Sequence, residues 1–293
     1  MIRPMQGVFI PMITPFWDGR IDIDSYKQLL RLYLEKGVAG FIPLATTGEA
    51  PTIEEDEYFR VLETTIETVA ARALIYAGIS SNSTRKAEHL IQTLNRYSVD
   101  GYLITSPYYN LPSQAGIYDH FARLAEATDR GILIYNIPYR TGRNVENETI
   151  LRLSKLKEIV GIKDSCGNVS QTIELLRERD PAFSVLTGED VLFYFNIVHG
   201  GNGGVLASAH LHTERFLRIH ELVLANNHRE ALAEWNKISG LIPLLFKEPN
   251  PAPVKYILQR KGLIRSAEVR APLAPISEAL KRTFDRMLFE KAV

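Results

Sequence analysis

"IVGIKDSCGN", residues 159–168, is the stretch on which the reading of this chain turns. Ile159, Val160 and Ile162 make a short apolar run, and Lys163 ends it, followed by Asp164, Ser165, Cys166 and Gly167. A strand that is oily along its length is buried on both faces, as in a parallel sheet covered by helices. A lysine at its end has two readings. Its flexible stem can carry the ammonium to solvent. Alternatively it is held partly inside, where desolvation disfavours the charge, lowers the pKa and leaves an amine that can attack a carbonyl.

The same pattern recurs on both sides. Upstream lie "GVFIPMITPF" (7–16), "GFIPLATTGE" (40–49), "LIYAGIS" (74–80), "GYLITSP" (101–107) and "ILIYNIP" (132–138); downstream lie "SVLTGED" (184–190) and "GGVLAS" (203–208). Helical patterns separate them. Tyr26, Leu29, Leu30 and Tyr33 share one face of a predicted helix with Asp24 as N-cap and Gly37 as stop. Thr52 and Glu55 have the spacing of a capping box before a helix with Phe59, Leu62, Ile66 and Val69 inward. Ala87, Leu90, Ile91 and Leu94 mark another inner stripe. About eight strand–helix units are the number that closes a (β/α)8 barrel. A doubly wound open sheet fits less well, because no G-x-G-x-x-G follows the first strand. Beyond about residue 212 only helical patterns follow, broken near "KEPNPAPVK" (247–255) and "RAPLAPIS" (270–277). The expected organisation is a barrel over 1–225 with a helical appendage over 226–293 packed on it.

Composition sets the class. Of 293 residues, 45% are hydrophobic and 23% charged, and 34 Lys+Arg balance 34 Asp+Glu. Nothing there draws the chain generally to nucleic acid or an anionic membrane. Cys166 is the single cysteine, so no intramolecular disulfide can form, as suits a reducing compartment. The apolar start "MIRPMQGVFIPMITPF" is interrupted by Pro4, Gln6 and Pro11, unlike a signal peptide, and no apolar run approaches the ~20 residues that span a bilayer. A cytoplasmic protein is expected.

In a (β/α)8 barrel the chemistry sits at the C-terminal ends of the strands. Those ends read Thr46-Thr47-Gly48-Glu49, Ser106-Pro107-Tyr108-Tyr109, Tyr135-Asn136, Lys163-Asp164 and Thr187-Gly188-Glu189. Tyr135 ends the strand before that of Lys163 and can serve as proton shuttle or as a packing residue. The Thr46-Thr47-Gly48 turn offers hydroxyls and N–H groups to a small carboxylate, or is an ordinary connecting loop. Arg140 can fork onto a carboxylate or stand in solvent. No Cys/His zinc spacing accompanies His210 and His212, so no catalytic metal is expected. The glycines of "HGGNGGV" (199–205) enter the last strand from its N-terminal side and read as tight-turn residues. Cys166 has no histidine partner evident in sequence.

Taken together these segments resemble the pyruvate-dependent class I aldolases and dehydratases typified by dihydrodipicolinate synthase and N-acetylneuraminate lyase. "GVFIPMITPF", "TTGE", "SPYYN", "YNIP" and "GIKDSCGN" look like the family's first strand, carboxylate turn, tyrosine strand, catalytic-tyrosine strand and Schiff-base strand, in order and at compatible spacing. Arg140 in "YRTG" and the run "EPNPAPVK" resemble the synthases more than the neuraminate lyases, which usually lack that arginine. The resemblance implies that Lys163 forms an imine with pyruvate and needs no cofactor. Tyr135 would move protons, in a hydroxyl relay with Thr46 and with Tyr109 reaching in from a neighbouring subunit. Thr47 would bind the pyruvate carboxylate, with the backbone at Val205 nearby, Gly188 would join the substrate-binding set, and Arg140 would grip the carboxylate of L-aspartate 4-semialdehyde. A homotetramer, built as a dimer of dimers, is implied. Alternatives are a related aldolase or dehydratase acting on another 2-oxo acid, and a non-catalytic carboxylate-binding barrel. Three positions depart from the pattern: Tyr139, where the synthases carry serine or glycine, Ala45 for glycine, and Cys166 for threonine.

Many synthases of the family are inhibited by lysine at a subunit interface. Asn82 and Tyr108 match two of the positions involved, whereas Lys86 stands at the usual glutamate and Tyr58 at the usual histidine or glutamate. A cation there repels the ligand's amino groups, so the resemblance implies a regulatory site that does not function.

Overall fold

The computed structural model describes residues 5–288. Eight parallel strands close into a barrel, each hydrogen-bonded to the next in sequence and the last to the first. They are β1 (Gly7–Pro11), β2 (Gly40–Ile42), β3 (Leu74–Ile79), β4 (Gly101–Thr105), β5 (Gly131–Asn136), β6 (Ile159–Asp164), β7 (Ser184–Thr187) and β8 (Gly203–Val205). Around them lie α1 (Ile23–Lys36), α2 (Glu55–Val69), α3 (Thr84–Leu94), α4 (Gln114–Glu126), α5 (Asn147–Leu153), α6 (Val169–Glu178), α7 (Phe193–Val198) and α8 (Ala209–Leu224). The chain continues as α9 (His228–Asn236), α10 (Ile242–Leu245), α11 (Ala252–Arg260) and α12 (Glu278–Leu288). Among the described residues no helix is long and apolar enough to cross a membrane.

Strand side chains alternate between two cores. Ile132 and Ile134 of β5 face the surrounding helices, while Leu133 and Tyr135 join Phe9, Ile42, Leu103, Leu186 and Val205 inside the barrel. On β6, Ile162 faces the helices, so the alternation turns Lys163 inward at the strand's C-terminal end. The later helices form no separate core: Ile242, Val254, Ile257, Leu280 and Phe284 belong to the cluster that holds the barrel helices.

Two helix starts differ from expectation. The N-cap of α1 is Asp22, not Asp24. Its carboxylate accepts from the Ser25 N–H at 3.1 Å and the Ser25 hydroxyl at 2.6 Å, leaving Asp24 in the first turn. The Thr52/Glu55 capping box does not form. Pro51 sets a 3-10 turn over Ala50–Thr52, the Thr52 hydroxyl bonds back to the Glu49 carbonyl at 3.0 Å, and α2 is boxed by Glu54 and Glu57 instead. Gly37 stops α1 as read, with a left-handed φ of 85°.

Candidate active site

The register places the expected residues side by side. Tyr135 of β5 pairs with Lys163 of β6, and Lys163 with Leu186 of β7, two residues before Gly188. The Lys163 ammonium lies over the Tyr135 ring, 3.9 Å from its centroid, and both residues are buried. Burial pulls the Lys163 pKa down from 10.5 to about 8, against the field of Asp190, Tyr139 and Glu189 and with that of Arg140. Burial also pushes the Tyr135 phenol up to about 12, opposed by the hydroxyls of Thr46 and Ser165 and by Arg140. The lysine is thus eased towards its neutral amine beside a tyrosine that keeps its proton.

Gly188 makes room for this. A Cβ there would lie 2.6 Å from Lys163 Cε and 2.2 Å from the Ser165 hydroxyl. The next two residues carry carboxylates that the strand-end reading did not assign. Asp190 is buried and accepts from the Ser208 N–H at 2.6 Å and from the Ser208 hydroxyl, which fastens the loop after β7 to the loop after β8. Burial raises Asp190 to about 6; burial and then Asp190 raise Glu189 to about 7. Their position directly after a strand end was the one signal available in sequence.

Asp164, beside Lys163, points its carboxylate elsewhere. It accepts from the Asn136 amide at 3.2 Å, the Thr172 hydroxyl at 2.9 Å and the Cys166 thiol at 3.2 Å. Burial, reinforced by Asp164, pushes that thiol up to about 12, so Cys166 is a poor nucleophile.

The Thr46–Gly48 segment is a 3-10 turn that ends at Glu49 in the left-handed region, with a φ of 56°. Thr14 donates to the Gly48 carbonyl at 2.7 Å, and the Asn250 amide donates to the Thr47 hydroxyl oxygen at 2.9 Å. That bond leaves the Thr47 proton free to donate. Two cavities open at this end of the barrel. One of about 330 Å³ is bounded by Thr46, Thr105, Tyr108, Ile137, Arg140 and Asn250; one of about 590 Å³ by Tyr139, Arg140, Gly188, Glu189, Phe246 and Asn250. Arg140 and Asn250 stand between them. Thr105 and Asn250 line this mouth, and Thr105 Oγ1 and Asn250 Oδ1 are buried without a hydrogen-bond partner, so it holds polar groups that a ligand can satisfy. A polar groove of about 600 Å³ beside α5 and α6 contains none of the expected site residues.

Val205 is buried at the end of β8, paired through Phe9 of β1. Tyr109 is not brought to Tyr135 within the chain. It stands on the loop after β4, 88% exposed, with a left-handed φ of 74°.

The chain matches the model of the dihydrodipicolinate synthetase family over residues 4–291. The chain belongs to that family. It is 51% identical over 284 residues to 4-hydroxy-tetrahydrodipicolinate synthase 2 of Clostridium acetobutylicum, covering 97% of this chain and 99% of the relative. The 4-hydroxy-tetrahydrodipicolinate synthase of Methylacidiphilum fumariolicum SolV superposes with a TM-score of 0.94 at 36% identity, over 97% of this chain and 95% of that one. The dihydrodipicolinate synthase of Acinetobacter baumannii, solved with pyruvate, superposes with a TM-score of 0.93 at 33% identity, over 97% of each chain.

Within the dihydrodipicolinate synthetase family, the departures noted in sequence now have positions. Tyr139 is 67% exposed at the larger cavity, and Arg140 lies 5.4 Å from its ring centroid. Of the four positions that the resemblance pointed to as a regulatory site, Lys86 is exposed in the first turn of α3, and the Tyr58 hydroxyl donates to the Gly78 carbonyl at 3.0 Å. The Asn82 carbonyl accepts from Asn110 at 2.9 Å, and Tyr108 lines the smaller cavity.

Proposed function

We propose that this chain is a Schiff-base lyase that condenses pyruvate with L-aspartate 4-semialdehyde to 4-hydroxy-tetrahydrodipicolinate, the first committed chemistry of a lysine and diaminopimelate route. The observation that carries the reading is the buried Lys163 amine stacked on Tyr135 at the barrel mouth. With a pKa of about 8, roughly one lysine in ten is neutral at pH 7.

The neutral Nζ of Lys163 attacks the pyruvate ketone. The carbinolamine loses water, with the Tyr135 hydroxyl supplying and recovering the proton, and a protonated imine results. That imine is the electron sink, and the chemistry runs without a cofactor. Loss of a methyl proton gives an enamine, whose carbon attacks the aldehyde carbon while the aldehyde oxygen takes a proton. The amino group of the second substrate then attacks the imine carbon, closes the ring and releases Lys163 as a free amine. Thr46 with Tyr109 from a second copy completes the hydroxyl relay. Thr47 and the backbone at Gly188 and Val205 hold the pyruvate carboxylate, and Arg140 forks onto that of the aldehyde. The outward Tyr109, with half-exposed Leu111 nearby, supports assembly as a dimer of dimers. We assign residues 1–225 to the catalytic barrel, 226–293 to an extension packed on it, and the enzyme to the cytoplasm.

The test is a coupled assay that consumes the cyclic product. Product formed from pyruvate and L-aspartate 4-semialdehyde supports the reading. Imine formation without that product would mean that Tyr139 reshapes the larger cavity for another aldehyde or 2-oxo acid.

A further inference from the structure

Lys255 lies in the apolar run "PAPVKYIL" and is completely buried on α11. Its Nζ has three neighbours: a carboxylate oxygen of Glu49, the Glu268 carbonyl at 2.8 Å, and the face of Phe16, 4.1 Å from the ring centroid. The second Glu49 oxygen accepts from the Arg270 N–H at 2.9 Å. The Arg270 guanidinium in turn bonds the Thr52 carbonyl at 2.8 Å, the Gly19 carbonyl at 3.1 Å and the Glu57 carboxylate. Glu49 is therefore gripped on both oxygens by the segments that follow the barrel, and both side chains of the ion pair are sealed from solvent.

Such a pair is weak evidence for stability, because desolvating two charges cancels much of their attraction and apolar residues of the same volume serve as well. Its geometry is more informative. Glu49 adopts a left-handed backbone that favours glycine or asparagine, and it ends the 3-10 turn carrying Thr46 and Thr47. Its own N–H closes that turn on the Thr46 carbonyl at 3.1 Å, and its carbonyl receives the Thr52 N–H at 2.9 Å. A glutamate tolerated in this conformation is there for where its side chain reaches. Asn250, just before α11, holds the same turn through Thr47.

We infer that the buried Lys255–Glu49 pair is a positioning device, through which the helices after the barrel set the Thr46-Thr47 turn for the substrate carboxylate. The inference rests on the pyruvate reading above. Glu49 borders the smaller cavity, but its side chain and that of Lys255 are sealed against each other, so both act through the two threonines.

The test uses the full-length double variant E49Q/K255M, which removes both charges and leaves no buried ion unpaired. E49D keeps the charge but shortens the arm by one methylene, and it serves if the double variant does not fold. The readouts are the pyruvate concentration that half-saturates borohydride trapping, the KM for the aldehyde and the thermal midpoint. A displaced turn weakens a hydrogen bond to the substrate carboxylate and raises the pyruvate half-saturation about tenfold or more. Trapping at saturating pyruvate persists, because Lys163 is untouched, and the aldehyde KM moves far less. A folded variant whose pyruvate half-saturation stays within about twofold of wild type overturns the inference and leaves the ion pair as packing. If wild type itself traps no pyruvate, the imine reading falls and the positioning role falls with it. Trapping in wild type with an unchanged dependence in the variants removes the positioning role alone.

Discussion

Gly188→Ala adds one methyl group at the most crowded point beside Lys163. The φ of Gly188 lies outside the left-handed region, so alanine meets no backbone penalty and the effect is steric. The new Cβ would sit 2.2 Å from Ser165 Oγ, 2.6 Å from Lys163 Cε and 3.0 Å from Lys163 Cγ. Carbon atoms are comfortable at about 3.5–4.0 Å, so the lysine must retreat by roughly 1 Å. The Tyr135 ring, 3.9 Å from the ammonium, limits the room for that retreat. Overpacking of this kind costs about 1–3 kcal/mol of stability, a loss of only several degrees in thermal midpoint for a domain of this size. A misplacement of about 1 Å at the reacting atom costs on the order of 100-fold in rate. The expected outcome is a folded protein whose kcat and rate of imine trapping at saturating pyruvate fall together by about two orders of magnitude. Turnover within about threefold of wild type, in a variant shown to be folded, would refute the claim that Gly188 is the space in which Lys163 is aimed.

Tyr135→Phe keeps the ring beneath the ammonium and removes the hydroxyl, so steady-state turnover should fall about 100-fold or more while the thermal midpoint holds; near-normal turnover would reduce Tyr135 to packing. Arg140→Ala should raise the KM for the aldehyde far more than that for pyruvate, because a guanidinium holding one carboxylate contributes binding to that substrate alone; equal effects on both would make it a loop arginine. L-Lysine at millimolar concentration should leave the initial rate unchanged. Like charges about 4 Å apart cost about 4 kcal/mol even at an effective dielectric near 20, and the family resemblance implies that Lys86 puts a cation where a glutamate would receive the ligand. Inhibition that saturates would show that Lys86 turns away and that the regulatory site survives.

The barrel was legible because each strand is a compact apolar run, and the site because polar residues cluster where those runs stop. Lys163 stood out as a lone cation on an oily strand, and the β5–β6 register then set it against Tyr135. Other features left no local mark. Lys255 and Glu49 are 206 positions apart, and nothing in "PAPVK" says that its lysine turns inward rather than out. The steric role of Gly188 depends on the side chains of β6, which only the register of adjacent strands brings near. Asp190 was visible as a residue after a strand end, but its bonds to Ser208 belong to a loop reached only when the barrel closes. The two helix starts went astray for a local reason. Several acceptors competed at each: a small hairpin pairing Phe16–Trp17 with Arg20–Ile21 returns Asp22 to the Pro15 carbonyl at the first, and the 3-10 turn containing Pro51 decides the second.

The most direct test of the central claim is borohydride reduction in the presence of pyruvate, read by the mass of the intact chain and its peptides. One reduced pyruvate is expected on wild type, carried by the peptide that contains Lys163, and none on a folded Lys163→Ala variant. Label on another lysine, or label that persists in Lys163→Ala, would contradict that claim.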